Sequence, residues 1–125
     1  MKYEKLFQKG KIGRLELPNR VVMTAMGIML CDWNGCATPE MVRFYEERAK
    51  GGCGLIIPEF TRVDPESGQC NRYQLGIFDA RQIRGVEDIC DAVHRHGSKI
   101  FIQLQHGGRE APPALNGGRQ AMAPS

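Results

Sequence analysis

The residues best equipped for chemistry in this 125-residue chain fall into three short stretches. Gln103, Gln105 and His106 close an apolar run, Ile100-Phe101-Ile102. A carboxamide there carries donors and an acceptor together. If buried it needs partners, supplied either by the chain itself or by the polar edge of a ligand. His106, followed by Gly107-Gly108-Arg109, has the residue types of a general acid and an anion clamp. The plainer reading, a structural loop, is preferred for both. Thr24-Ala25-Met26-Gly27 ends a second apolar run, Val21-Val22-Met23, and its small residues would let backbone lie against a flat partner. Glu59-Phe60-Thr61 follows a third run, Leu55-Ile56-Ile57. Glu59 could titrate at a strand end, but it reads more simply as a loop carboxylate satisfied by hydrogen bonds.

Other chemistries are poorly supported. The five cysteines, Cys31, Cys36, Cys53, Cys70 and Cys90, form no Cys-x-x-Cys and have no paired histidines nearby, which argues against a zinc or iron–sulfur site. Their odd number and irregular spacing suit free thiols in a reducing cytoplasm. Met23, Met26 and Met29 read as packing rather than as metal ligands. Net charge is +3 with no block of like charges, and aromatics are 7%, a balance that disfavours nucleic-acid binding. No run is long enough to span a membrane as a helix.

The elements that must position these stretches alternate. Gly13-Arg14 is a plausible hairpin tip between short strands. A strand over about 21–26 leads to a loop through Trp33 and Asn34-Gly35. Thr38-Pro39-Glu40 is a helix start, with cap, first-turn proline and dipole-matched carboxylate together. Met41, Phe44, Tyr45 and Ala49 give that helix its apolar face, and Gly51-Gly52 stops it. The second strand is expected over Leu55–Ile57, continuing to Thr61, with Pro58 at its end or on a bulge. Residues 62–78 form a long excursion. Asp79 is a candidate cap for a second helix whose expected apolar face is Ile83, Val86, Cys90 and Val93, and a third strand is expected over Lys99–Gln105. The order hairpin, β, α, β, α, β implies an α/β fold with a parallel sheet. Right-handed crossovers would place both helices on one face.

The stretches NRVVMTAMG (19–27), GGCGLIIPEFT (51–61) and GSKIFIQLQHGGR (97–109) resemble, in that order, blocks of the Old Yellow Enzyme family of flavin-dependent reductases. Within it they lean toward the bacterial NADH:flavin oxidoreductases that reduce 2,4-dienoyl-CoA and 2-enoates. The resemblance implies that residues 1–125 are the N-terminal part, strands one to three, of one flavin-binding TIM (β/α)₈ barrel, with the hairpin plugging its bottom. It implies FMN as cofactor and NAD(P)H as reductant. The substrate would be a small unsaturated carbonyl compound, an enone, enoate or enoyl thioester, whose activated C=C bond takes up the hydride. The flavin-contacting residues map onto Thr24, Ala25, Met26, Gly27, Phe60 and Gln103, and a substrate-pocket residue onto Gln105. Gly27 stands where several members carry Thr or Cys, and Phe60 where a small residue often packs on the flavin.

The same resemblance puts the catalytic His pair and Tyr on later strands, so no catalytic residue is assigned within the chain. A 4Fe-4S cluster and FAD would belong only to sequence past Ser125. The stretch ending at Ala123-Pro124-Ser125 reads as an interruption rather than a closing element. Two alternatives stay open: another flavin barrel of the dihydroorotate dehydrogenase or dihydrouridine synthase type, and an inactive truncated product. Homo-oligomer formation also stays open.

Overall fold

The computed structural model describes residues 2–124; Met1 and Ser125, the ends of the expected domain, lie outside the described residues. β1 (Gly10–Ile12) and β2 (Leu15–Leu17) form an antiparallel hairpin, turned by Gly13 at φ +57°. Three parallel strands follow in the order β3 (Val22–Met23), β4 (Leu55–Ile56) and β6 (Lys99–Ile100), with Met23, Ile56 and Ile100 in register. A second parallel pair joins β5 (Thr61–Arg62) to β7 (Leu104–Gln105). Among the described residues the strands do not close into a barrel.

Helix α1 (Pro39–Lys50) starts as its sequence dictates: Thr38 accepts a hydrogen bond from the Met41 N–H, and Pro39 occupies the first turn. Its face of Met41, Tyr45 and Ala49 is buried. Gly52, at φ +93°, takes the chain out of the helix in the left-handed region that favours glycine. Helix α2 (Ile83–His94) is entered through a 3₁₀ turn, Ala80–Gln82, closed by a capping box between Asp79 and Gln82. The two helices pack over one face of the sheet. Met41, Tyr45, Ile89 and Val93 meet Ile56 and Leu75 in a single core, with Met23 and Ile100 against it.

Three expectations need correction. Ile83 is 59% exposed rather than part of the α2 face. The helix turns so that Ile89 and Val93 reach the core, and Ile83 is more than 100° round the axis from Ile89. Strand one ends at Met23 rather than near residue 26, because the Ile28 and Met29 N–H groups turn to the Glu59 carboxylate. Strands two and three are each split. Phe101 N–H donates to the Ile56 carbonyl, and the next ladder donor on strand two would be Pro58, which has none. Four residues, Ile57–Phe60, then oppose three, Phe101–Gln103, before pairing resumes at Thr61 and Leu104. This is a bulge in strand two. Thr61 N–H donates to the Gln103 carbonyl at 2.8 Å and closes it.

Gly85 sits inside α2, where alanine would favour the helix by about 1 kcal/mol. Packing opposes that gain, since a Cβ there would lie 3.0 Å from Ala37 Cβ, 3.1 Å from Ala37 N and 3.2 Å from Ala37 O. Backbone atoms cannot rotate away. Gly85→Ala is therefore expected to lower stability by about 1–2 kcal/mol, within the range for overpacking. Chemical denaturation of the intact protein checks it.

Candidate functional site

The bulge decides what the strand ends present. Glu59, within it, is 1% exposed. One carboxylate oxygen accepts from Ile28 N–H (2.7 Å) and Met29 N–H (3.1 Å), and the other from Leu75 N–H (2.7 Å). Its own N–H donates to Tyr45 Oη at 2.8 Å. Burial pushes the Tyr45 phenol above its ordinary range, so it keeps its proton. Glu59 thus joins three segments: the loop after strand one, helix α1 and the 62–78 excursion. The reading of Glu59 as a satisfied carboxylate agrees with this geometry.

On the open face of the sheet, Thr24 and Ala25 from the end of strand one meet Ile57, Phe101, Ile102 and Gln103 around a pocket of about 440 Å³. Among the described residues neither the Thr24 hydroxyl nor the Gln103 amide has a side-chain hydrogen-bond partner in the chain. Gln103 is exposed, which corrects the expectation of a buried amide. Its backbone is fixed by Thr61 while its side chain stays available. Met26, next in the chain after Ala25, is 56% exposed and does not line this pocket. Gly27 lies under the Phe60 ring: a Cβ at residue 27 would be 3.1 Å from Phe60 Cζ. Gly27 and Phe60, two of the positions at which the chain departs from the resemblance, are therefore neighbours.

Gln105 is half-buried and faces the excursion instead. Its Oε1 accepts from Gln74 Nε2 at 2.9 Å and its Nε2 donates to Cys70 Sγ at 3.2 Å. Gln74, 2% exposed, also receives the Cys70 N–H (2.9 Å) and donates to the Phe60 carbonyl (3.3 Å). The sequence offered no signal for Gln74, which stands alone in an aperiodic loop. Arg62, 5% exposed, donates to Gln69 Oε1 at 2.7 Å and lies 4.6 Å over the Phe78 ring. Burial holds its pKa below the ordinary guanidinium value.

His106 is fully engaged. Its Nδ1 accepts from Gly108 N–H at 3.0 Å, so the neutral ring carries its proton on Nε2, 3.0 Å from Ser67 Oγ. Ser67 in turn donates to Asp64 Oδ2 at 3.1 Å. Arg109 is exposed beside Glu110. Both findings favour a structural loop over an acid and a clamp. The Glu66 N–H, with Ser67, holds the Asp64 carboxyl below its ordinary value of 3.8. A depressed folded-state pKa stabilises the fold fully above that ordinary value, and the gain is lost as pH falls through the lower folded value. An NMR titration of the Asp64 carboxyl carbon is expected to give a midpoint below 3.8. Ser67→Ala should move that midpoint upward.

All five cysteines are free. Burial raises the thiol pKa of Cys31, Cys36 and Cys90, so none of these three is a ready thiolate. Among the described residues no cluster of three His, Cys, Asp or Glu side chains could hold a metal ion, and no helix is long and apolar enough to cross a membrane.

A parallel sheet covered on one face by helices, with a pocket where its strands end, matches the N-terminal portion of a TIM barrel, the fold of the old yellow enzymes to which the structure is similar. The chain belongs to the NADH:flavin oxidoreductase / NADH oxidase family, whose sequence profile matches residues 5–125. It is 38% identical to an NADH oxidase from Thermoanaerobacter brockii, over 98% of this chain and 19% of that protein. It is also 38% identical to an NADH:acrylate oxidoreductase from Vibrio harveyi, over 98% of this chain and 12% of the relative. The structure of an old yellow enzyme homologue from Zymomonas mobilis superposes with a TM-score of 0.89 at 34% identity, covering 97% of this chain and 33% of that one. The chain thus spans a fifth or less of these two curated relatives and a third of the solved structure.

Proposed function

We propose that residues 1–125 form one wall of the flavin site of an FMN-dependent oxidoreductase, which uses NAD(P)H to reduce the activated C=C bond of an enone, enoate or enoyl thioester. The observation that carries this reading is the pocket itself. It gathers Thr24, Ala25 and Gln103 from two separate strands, at the end of the sheet where such barrels do their chemistry. Family membership and the NADH-linked relatives support the same reading.

The residues present fit a flavin. Gln103 offers an amide that can donate to and accept from the polar edge of the ring. Ala25 keeps backbone close, Thr24 adds a hydroxyl, and Ile57, Phe101 and Ile102 give an apolar floor. When bound, FMN supplies the hydride chemistry that links nicotinamide to substrate. This chain's own contribution is to orient the ring and keep water from one side of it. Gln105, held by Gln74 and Cys70, packs against the excursion rather than lining this pocket. The five free cysteines support a reducing compartment such as the cytoplasm as the setting of this activity.

The visible absorption spectrum of the purified intact protein tests this. Flavin bands that bleach anaerobically with NADH are expected. A folded, colourless protein that takes up no added FMN would overturn the reading.

A further inference from the structure

A second pocket, of about 230 Å³, opens where the loop after strand one meets the 62–78 excursion. Trp33, Gln69, Arg72 and Tyr73 line it, and it shares no residue with the pocket around Thr24 and Gln103. Its walls are fixed. Trp33 stands at the tip of a tight turn in which Gly35 N–H donates to the Asp32 carbonyl at 3.1 Å. The Asp32 carboxylate accepts from the Asn34 and Cys36 N–H groups, each at 2.8 Å. Two bonds tie this turn to the excursion, Cys31 N–H to the Tyr73 carbonyl (3.3 Å) and Gly76 N–H to the Gly35 carbonyl (2.9 Å). Tyr73 itself holds φ +55°, a conformation that side chains of its size rarely adopt. The Asn116 amide clasps the Gln69 backbone, accepting from its N–H and donating to its carbonyl.

This rigid frame holds two aromatic rings in water, Trp33 at 80% and Tyr73 at 48% exposure. Covering them would be favourable, and their positions are already set. The charge around them is positive. Arg72 is exposed and forms no ion pair among the described residues. Behind Gln69 lies Arg62, 5% exposed, which donates to Gln69 Oε1 at 2.7 Å. Among the described residues the Arg62 Nε has no hydrogen-bond partner, and no carboxylate comes within ion-pair distance of this side chain. A guanidinium does not shed its proton, so a buried, uncompensated cation backs the pocket wall. Asp32, beside Trp33 in the chain, is spent on its own turn.

We propose that this pocket binds a small aromatic carboxylate, its ring packed on Trp33 and Tyr73 and its carboxylate paired with Arg72. Guanidinium and carboxylate match in a two-pronged, charge-assisted pair. The volume is below the roughly 300–1,000 Å³ of sites for drug-sized ligands and suits one ring bearing one acidic group. The site stands independently of the flavin reading.

Titration of the intact protein with benzoate, its neutral isostere benzamide and acetate tests the assignment. The readout is the tryptophan fluorescence of the wild type less that of Trp33→Phe, with calorimetry alongside. Benzoate is expected to quench the Trp33-dependent signal and to bind about tenfold or more tightly than benzamide or acetate. Arg72→Gln should weaken benzoate binding by a similar factor. Trp33 and Arg72 are both exposed, so neither substitution should move the melting temperature, and the comparison of the three probes needs no variant beyond the fluorescence blank. A Trp33-dependent signal that benzoate leaves unchanged would overturn the site, even if benzoate bound elsewhere and shifted the visible bands of a flavin. Equal affinity for benzamide, or full binding by Arg72→Gln, would overturn the carboxylate pairing. Equal affinity for acetate would overturn the aromatic class.

Discussion

Glu59→Gln is expected to destabilise the intact protein by about 2–4 kcal/mol, although it removes no atom and only exchanges an oxygen for a nitrogen. The Glu59 carboxylate is an acceptor on both sides, with two N–H donors on one oxygen and one on the other. An amide has a single oxygen. In one orientation its NH₂ faces the Leu75 N–H, and in the other it faces the Ile28 and Met29 N–H groups. Either way donor meets donor in a site that is 1% exposed, where water cannot intervene. Glu59→Ala removes every acceptor and leaves a cavity, so its cost should be larger still. Denaturant titration followed by circular dichroism gives the stability loss. Amide hydrogen exchange gives its location, with Ile28, Met29 and Leu75 expected to lose protection before the helices do. A Glu59→Gln loss below about 0.5 kcal/mol, the range of ordinary surface substitutions, would show that the three bonds are not holding these segments.

The same residue shows where sequence reading reached its end. Helix α1 was legible because its signals are local: a capping Thr38, a first-turn Pro39 and an apolar face at helical spacing, all within one stretch. The capping box at Asp79 was partly legible for the same reason. The α2 face was misplaced at Ile83 because Gly85 lets the helix settle against Ala37, a contact across 48 residues that no periodicity reports. The strand boundaries were blurred by one residue type whose meaning was visible in the sequence, Pro58, and by one whose meaning was not. Glu59 draws its partners from sequence separations of 16 to 31 residues. For the site, Thr24, Ala25 and Gln103 were readable as strand-end residues and the fold does gather them. Their neighbour Gln105 is turned toward Gln74, and the contact between Gly27 and Phe60 depends on the bulge. Both are products of tertiary geometry rather than of local pattern.

Gln103→Ala is expected to weaken FMN binding by about 10- to 100-fold while leaving the fold intact, and this separation makes it the sharper test of function. Two hydrogen bonds to a ring edge, at about 0.5–1.5 kcal/mol each, convert to roughly that factor. Loss of the fold is not the route. The Gln103 side chain is exposed and bonds to no other described side chain, and the bond that matters structurally, from Thr61 N–H at 2.8 Å, uses its backbone carbonyl and survives the substitution. Stability should therefore move by no more than about 0.5 kcal/mol. Fluorescence titration of the apoprotein with FMN reads the affinity, and denaturant titration of the same preparation reads the fold. Gln103→Glu sharpens the result further. It keeps the length and the acceptor oxygen but replaces the NH₂ donor with a second, charged acceptor, so a ligand edge that both donates and accepts should reject it nearly as strongly as alanine. If Gln103→Ala retains full flavin content and the wild-type rate of reduction by NADH, Gln103 does not touch the cofactor. The flavin wall would then have to be sought on another face of the sheet.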